Sequence, residues 1–240
     1  MHSPFVFEFI AKILNDKTVY PAYEKVEALR NQLLNDNTVL DVEDFGAGST
    51  VHKKNKRTIS SIAKNAAKPK KFGQLLFRMI RHYQPKTILE LGTSLGITTS
   101  YLSLAKPDAR LITMEGSKEI AEVAKRNLRN LEIRNVESIE GNFDNTLSSV
   151  ARGLSTVDFA FIDGNHRKEP TERYFKEILA KTNNDSILVF DDIHWSSEVE
   201  AAWEIIKSHE AVICSIDLFF IGIVLFRKEF KEKQHFSIRY

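Results

Sequence analysis

The chain has 240 residues, a formal net charge of +2, 42% hydrophobic residues and 28% charged residues. These proportions suit one large α/β domain, or one domain plus a small appendage, and they exclude a disordered, collagen-like or disulfide-stapled chain. No apolar run approaches the roughly 18 residues of a membrane span, and the single cysteine, Cys214, allows neither an internal disulfide nor a multi-cysteine zinc site.

The apolar N-terminal stretch includes Glu8 and Lys12 and has no basic leader, so it reads as an amphipathic helix and not a signal peptide. The expected compartment is the cytoplasm. Ser3 and Pro4 supply an N-cap and a first-turn proline, and Val6, Phe9, Ile10, Ile13 and Leu14 share one face. That apolar helix could also pack on a second subunit, as a homodimer. A second helix is expected from Pro21, with Ala22, Val26, Leu29 and Leu33 at helical spacing. A third over 72–83 carries Phe72, Leu75, Leu76, Met79, Ile80 and Tyr83 as one stripe. Between them, 44–57 is Gly-rich and then basic, and is expected to be an exposed loop. Residues 39–48 look like a strand and a glycine turn, but no helix start follows, so Gly46 and Gly48 read as loop residues. Residues 1–84 thus form an expected helical cap region. From 45 to 89 there are 11 Lys or Arg and no Asp or Glu, while elsewhere 23 basic residues face 32 acidic ones. A local basic patch of this kind can hold nucleic acid, a phosphorylated substrate or an acidic partner, or can be a solvated face.

From residue 86 the rhythm becomes strand, turn, helix. Strands are expected at 87–91, 110–115, 136–140, 158–163 and 186–192, with helices between them, and 211–220 and 222–228 close the chain as two more. This alternation predicts a doubly wound, seven-stranded, mostly parallel α/β sheet. With only Ile221 and Gly222 between the last two strands, they are expected to form an antiparallel hairpin. The domain is expected to span 85–240.

Chemistry concentrates at the carboxyl ends of these strands, where open α/β sheets bind ligands. The first ends in Glu90 and enters a turn through Gly92, Thr93, Ser94 and Gly96. Gly92 permits a tight turn and close ligand approach. The spacing differs from the dinucleotide Gly-x-Gly-x-x-Gly pattern, which disfavours pyrophosphate. Glu115, followed by Gly116, ends the next strand, where a carboxylate accepts ribose hydroxyls or caps the following helix. Asn142 and Phe143 follow the third strand and could line an adenine ring. Asp163 ends the fourth, with His166 three residues on, and Asp191 and Asp192 end the fifth, followed by His194. Three carboxylates in one cleft are costly unless a cation binds or a pKa rises. A divalent cation, Mg²⁺ foremost, on Asp163, Asp191 and Asp192 is one answer; the other has one Asp cap a helix and another bind a cofactor amine.

Residues 86–227 resemble the class I S-adenosylmethionine-dependent methyltransferases, on the Glu-Leu-Gly-x-x-x-Gly turn, the strand-end Glu115 and the terminal hairpin. The resemblance implies that Glu90, Gly92 and Gly96 line the methionine end of the cofactor and that Glu115 holds its ribose. The Asp163, Asp191 and Asp192 set resembles the metal-dependent small-molecule O-methyltransferases, the catechol, sugar and macrolide enzymes. In these a cation chelates the acceptor and lowers its hydroxyl pKa. The catechol enzymes place a lysine base where this chain has His166, which puts a catechol acceptor in doubt more than the chemistry. His166, with Asp163, and His194 are the candidate bases. The expected function is methyl transfer to a small-molecule hydroxyl. The alternatives are a nucleic-acid methyltransferase gripping phosphate with 52–86, disfavoured by sparse aromatics there, and a non-catalytic cofactor-binding protein.

Overall fold

The computed structural model describes residues 3–43, 54–65, 68–230 and 232–240. Helix α1 (Pro4–Phe9) begins as the proline predicts: the Ser3 hydroxyl accepts the Val6 N–H, and a π-helical turn, Ile10–Leu14, continues it. Val6, Phe9 and Ile13 are buried along one stripe. α2 (Pro21–Leu34) also opens on its proline and buries Tyr23, Val26, Leu29 and Leu33.

The loop expected at 44–57 is corrected in part. β1 (Val39–Glu43) pairs antiparallel with β2 (Lys54–Thr58), and α3 (Ile59–Asn65) follows directly. β2 has no hydropathic signature because Lys56 and Arg57 stay exposed; its conformation comes from its partner strand. Gly46 and Gly48 lie outside the described residues. α4 (Lys70–Tyr83) buries the predicted stripe of Phe72, Leu75, Leu76, Met79 and Ile80.

The remaining elements alternate: β3 (Thr87–Leu91), α5 (Ile97–Ala105), β4 (Arg110–Glu115), α6 (Lys118–Asn130), β5 (Val136–Glu140), α7 (Phe143–Arg152), β6 (Phe159–Ile162), α8 (Lys168–Leu179), β7 (Ile187–Asp191) and α9 (Ser197–Ser208). β8 (Cys214–Asp217), β9 (Ile221–Leu225) and β10 (Gln234–Ser237) follow. The main sheet has the order β10-β8-β9-β7-β6-β3-β4-β5. β5, β4, β3, β6 and β7 are mutually parallel, and β9 runs antiparallel to both β7 and β8. The doubly wound sheet with its terminal hairpin is therefore as expected, with two differences. β10 adds an eighth strand parallel to β8; it is short, polar and half-exposed, so nothing in its pattern marks it. The hairpin turn lies at 218–220, not at Ile221 and Gly222. Gly222 sits inside β9 because a Cβ there would meet the Trp203 ring at 2.7 Å.

Both faces of the sheet are covered, which is why its strands read as continuous apolar runs. Ile88, Phe159, Phe161 and Val189 face one core, shared with α1, α2 and α4. Their chain neighbours Leu89, Ala160, Ile162 and Leu188 face the other, beneath α8 and α9. No described helix is long and apolar enough to cross a membrane.

Candidate active site

The parallel strands deliver their carboxyl ends to one edge, and a cavity of about 440 Å³ opens there. Its near wall is the turn after β3. Gly92 has φ of 100°, and a Cβ on it would collide with the carbonyl oxygen of Asp163. Only glycine lets the β3 and β6 turns lie so close. The Gly92 and Thr93 N–H groups both donate to the Met114 carbonyl at 3.0 Å. Ser94, at φ of 47°, points its N–H at Glu115 Oε2, 2.8 Å away, while the Ser117 N–H donates to Oε1 at 3.0 Å. Each Glu115 oxygen is thus anchored from behind and keeps a lone pair for a ligand hydroxyl. Burial raises the Glu115 pKa despite these N–H donors.

Gly116, Asn142 and Phe143 continue this wall. The Asn142 side chain caps α7 by accepting the Asp144 N–H at 2.9 Å. The Phe143 ring lies against Gly164 and edge-on to Tyr174.

The opposite side holds the charged groups. The Asp163 N–H donates to Leu91, which fixes the start of the loop after β6. Asn165 and His166 then adopt φ of 67° and 37°, a consecutive left-handed pair that turns the imidazole back. His166 Nε2 lies 3.3 Å from Asp163 Oδ1. Burial works against the charge of Asp163, but His166 and Lys68 outweigh it and lower its pKa. For His166, burial favours the neutral ring, yet Asp163 beside it raises the pKa overall. One ligand atom from each of Asp163, His166 and Asp191 lies within 4.8 Å of the others. Asp192 joins this cluster through Lys68, whose ammonium forms ion pairs with Asp191 and, at 3.1 Å, with Asp192. Burial, then the charge of Asp163, raises the Asp191 pKa well above the usual carboxylate range.

Other sequence-predicted residues lie away from the cavity wall. Glu90 is fully buried behind the turn, where its Oε2 accepts from Thr99 and Thr113 at 2.6 Å. Thr93 faces inward, its hydroxyl on Thr113. Gly96, at φ of 81°, opens α5 and packs on Ala124. His194 is not brought to the site. Its ring nitrogens face Asp217 at 2.9 Å and Glu200 at 3.2 Å, because Asp192, at φ of 51°, redirects the chain after β7. Conversely, sequence reasoning missed Lys68, Asn165 and Trp195, all on the cavity. Trp195 is 71% exposed at its rim. Lys68 had a sequence signal, a lysine before a proline that starts a helix, but it was one of many basic residues in its stretch.

Replacing Glu115 by alanine is expected to weaken S-adenosylhomocysteine binding by about 1–3 kcal/mol, through hydroxyls left unpaired. Calorimetry reads this directly, and unchanged affinity removes Glu115 from the ribose role.

Residues 89–193 match the family model described as "Methyltransferase domain". A catechol O-methyltransferase of Niastella koreensis is 33% identical over 130 residues, which cover 51% of this chain and 55% of that protein. Another, of Mycobacterium tuberculosis, is 30% identical over 123 residues, 50% of this chain and 54% of that protein. The chain thus spans about half the length of these curated relatives. Among solved structures, a Podospora anserina methyltransferase bound to SAH has a TM-score of 0.65 at 14% identity, covering 95% of this chain and 97% of that one. TomG of Streptomyces achromogenes, an O-methyltransferase in complex with SAM, has a TM-score of 0.61 at 20% identity, covering 92% and 96%. The Rossmann-like fold is shared across nearly the whole chain.

Proposed function

We propose that this chain, which carries a methyltransferase-family domain over residues 89–193, transfers a methyl group from S-adenosylmethionine to a hydroxyl of a small-molecule acceptor. One observation carries the reading: Gly92, Ser94 and Glu115 line the same cavity as Asp163 and His166. A cofactor wall and a proton acceptor therefore face one space. When bound, S-adenosylmethionine supplies an electrophilic methyl on a sulfonium. Glu115 accepts the ribose hydroxyls, and Phe143 and Asn142 flank the base. His166 takes the proton from the acceptor hydroxyl, and Asp163 holds the imidazole and stabilises its charged form. The remaining task is alignment in a water-poor cavity. The N-terminal region 1–84 contributes Glu43, Arg57, Asn65 and Lys68 to the lining of this cavity.

A metal-assisted form of this reading draws support from the Asp163 and Asp191 carboxylates, whose atoms converge beside His166; carboxylate oxygens suit a hard divalent cation such as Mg²⁺, and the imidazole does not. Asp191 and Asp192 are, however, already engaged by the Lys68 ammonium, so an ion fits on Asp163, Asp191 and Asp192 only if Lys68 withdraws. A nucleic-acid acceptor draws less support. Lys68 faces the acidic cluster, Arg78 is buried on the Ile13 carbonyl and the Tyr240 hydroxyl, and Lys71 lies 3.9 Å from the Tyr240 ring centroid.

The test is incubation of the purified protein with S-adenosylmethionine and a panel of phenolic, catecholic and sugar hydroxyl acceptors, read by mass spectrometry. The expected result is a singly methylated acceptor and S-adenosylhomocysteine. A protein that binds neither form of the cofactor refutes the reading.

A further inference from the structure

We propose that the Lys68 ammonium is the resident cation of this site, occupying the acidic cluster in place of a divalent metal ion. The inference rests on the methyl-transfer reading for the purpose of the cation, but not for its presence. The Lys68 side chain is only 14% exposed and pairs with a carboxylate, Asp191, that is 0% exposed, and with Asp192 at 24%. A buried lysine of this kind is not a surface lysine that happens to reach an acid. Its place is set by the chain. Pro69 is the N-cap of α4, with φ of −52° and ψ of 144°, and a residue before proline is held extended. Lys68 therefore reaches the strand ends from the position directly before the proline that caps α4.

Asp191 and Asp192 hold the Lys68 ammonium, and the third carboxylate, Asp163, faces the His166 imidazole. A divalent ion added to this set would meet an ammonium on the oxygens it needs, and like charges a few ångströms apart repel strongly in a buried site. An ammonium has three donors. Two are committed to Asp191 and Asp192, which leaves one for the acceptor oxygen as its proton leaves toward His166. That hydrogen bond does the electrostatic work a metal would otherwise do.

The experiment compares the wild type with Lys68→Met, each saturated with S-adenosylhomocysteine. Mn²⁺ alone is titrated in, and binding is read by water proton relaxation and by thermal shift. The wild type is expected to show no Mn²⁺ site that depends on Asp191. Lys68→Met, which leaves the carboxylates uncompensated, is expected to lose thermal stability, to gain a Mn²⁺ site tighter by about tenfold or more, and to recover stability as that site fills. Adding Asp191→Asn to this variant should remove the new site. A wild-type Mn²⁺ site that disappears in Asp191→Asn overturns the proposal. This wild-type comparison decides the matter even if Lys68→Met does not fold. S-adenosylhomocysteine affinity, measured by calorimetry on the same samples, keeps the two ideas apart. Its absence defeats the methyl-transfer reading and leaves the Mn²⁺ result standing.

Discussion

His166→Ala is expected to lower methyl-transfer turnover by roughly 10²–10⁴-fold, the range typical of a lost general base, with cofactor affinity nearly unchanged. The expectation follows from how His166 is held. Its Nε2 lies 3.3 Å from Asp163 Oδ1, so Nε2 is the nitrogen that carries the hydrogen and Nδ1 is left to accept. Asp163 favours the charged ring and outweighs the burial that opposes it, so the proton has a stable destination. The left-handed φ values at Asn165 and His166 cost energy unless the loop needs that shape. Asp163→Asn should lower turnover in the same direction, because it misorients the ring and destabilises its charged form. Single-turnover rates with excess enzyme isolate this step from product release. A His166→Ala rate equal to wild type would move the base elsewhere.

The second large effect is on stability. Cofactor-free protein should lose stability steadily as pH rises from 4.5 toward 8, because of Glu90. Burial pushes this carboxyl from its ordinary 4.5 up to about 8, although Thr113 and Thr99 donate to it. A carboxyl raised on folding binds its proton more tightly in the native state, so its contribution is full below 4.5 and is lost as pH passes through the folded value. The slope is about 1.4 kcal/mol per pH unit, and across the whole interval the loss is roughly 5 kcal/mol as an order of magnitude. Glu90→Gln keeps an acceptor for Thr99 and Thr113 but cannot ionise. Urea unfolding at several pH values should therefore show a flatter profile for the variant, with its gain over wild type growing toward pH 8. Parallel profiles for the two proteins would mean that Glu90 stays ionised in the fold.

Much of the architecture was legible because it is written in local periodicity. Ser3-Pro4 and Pro21 are local helix-start signals, and the α4 stripe must bury one face in any arrangement. The apolar runs at β3, β6 and β7 follow from a sheet covered on both sides. β2 and β10 escaped for the converse reason. Both are polar and short, and each exists only because another strand offers its edge. Gly222 misled because a glycine required by a neighbouring Trp203 ring looks the same in sequence as one required by a turn.

The candidate site divides along the same line. The turn through Gly92, the strand-end Glu115 and the carboxylates Asp163, Asp191 and Asp192 were determined by sequence, since parallel strands necessarily bring their carboxyl ends to one edge. Which of those groups meet was decided only in three dimensions. His166 turns back onto Asp163 through two left-handed residues, while His194, an equal candidate by position, is carried off to Glu200 and Asp217. The sequence also posed the problem of three crowded charges without showing its answer. Lys68 is more than a hundred residues from Asp191 along the chain, and its charge is no different from that of its exposed neighbours. Electrostatic pairing depends on distance in space and on burial, and both were set when α4 docked against the sheet and brought Lys68 to the ends of β6 and β7.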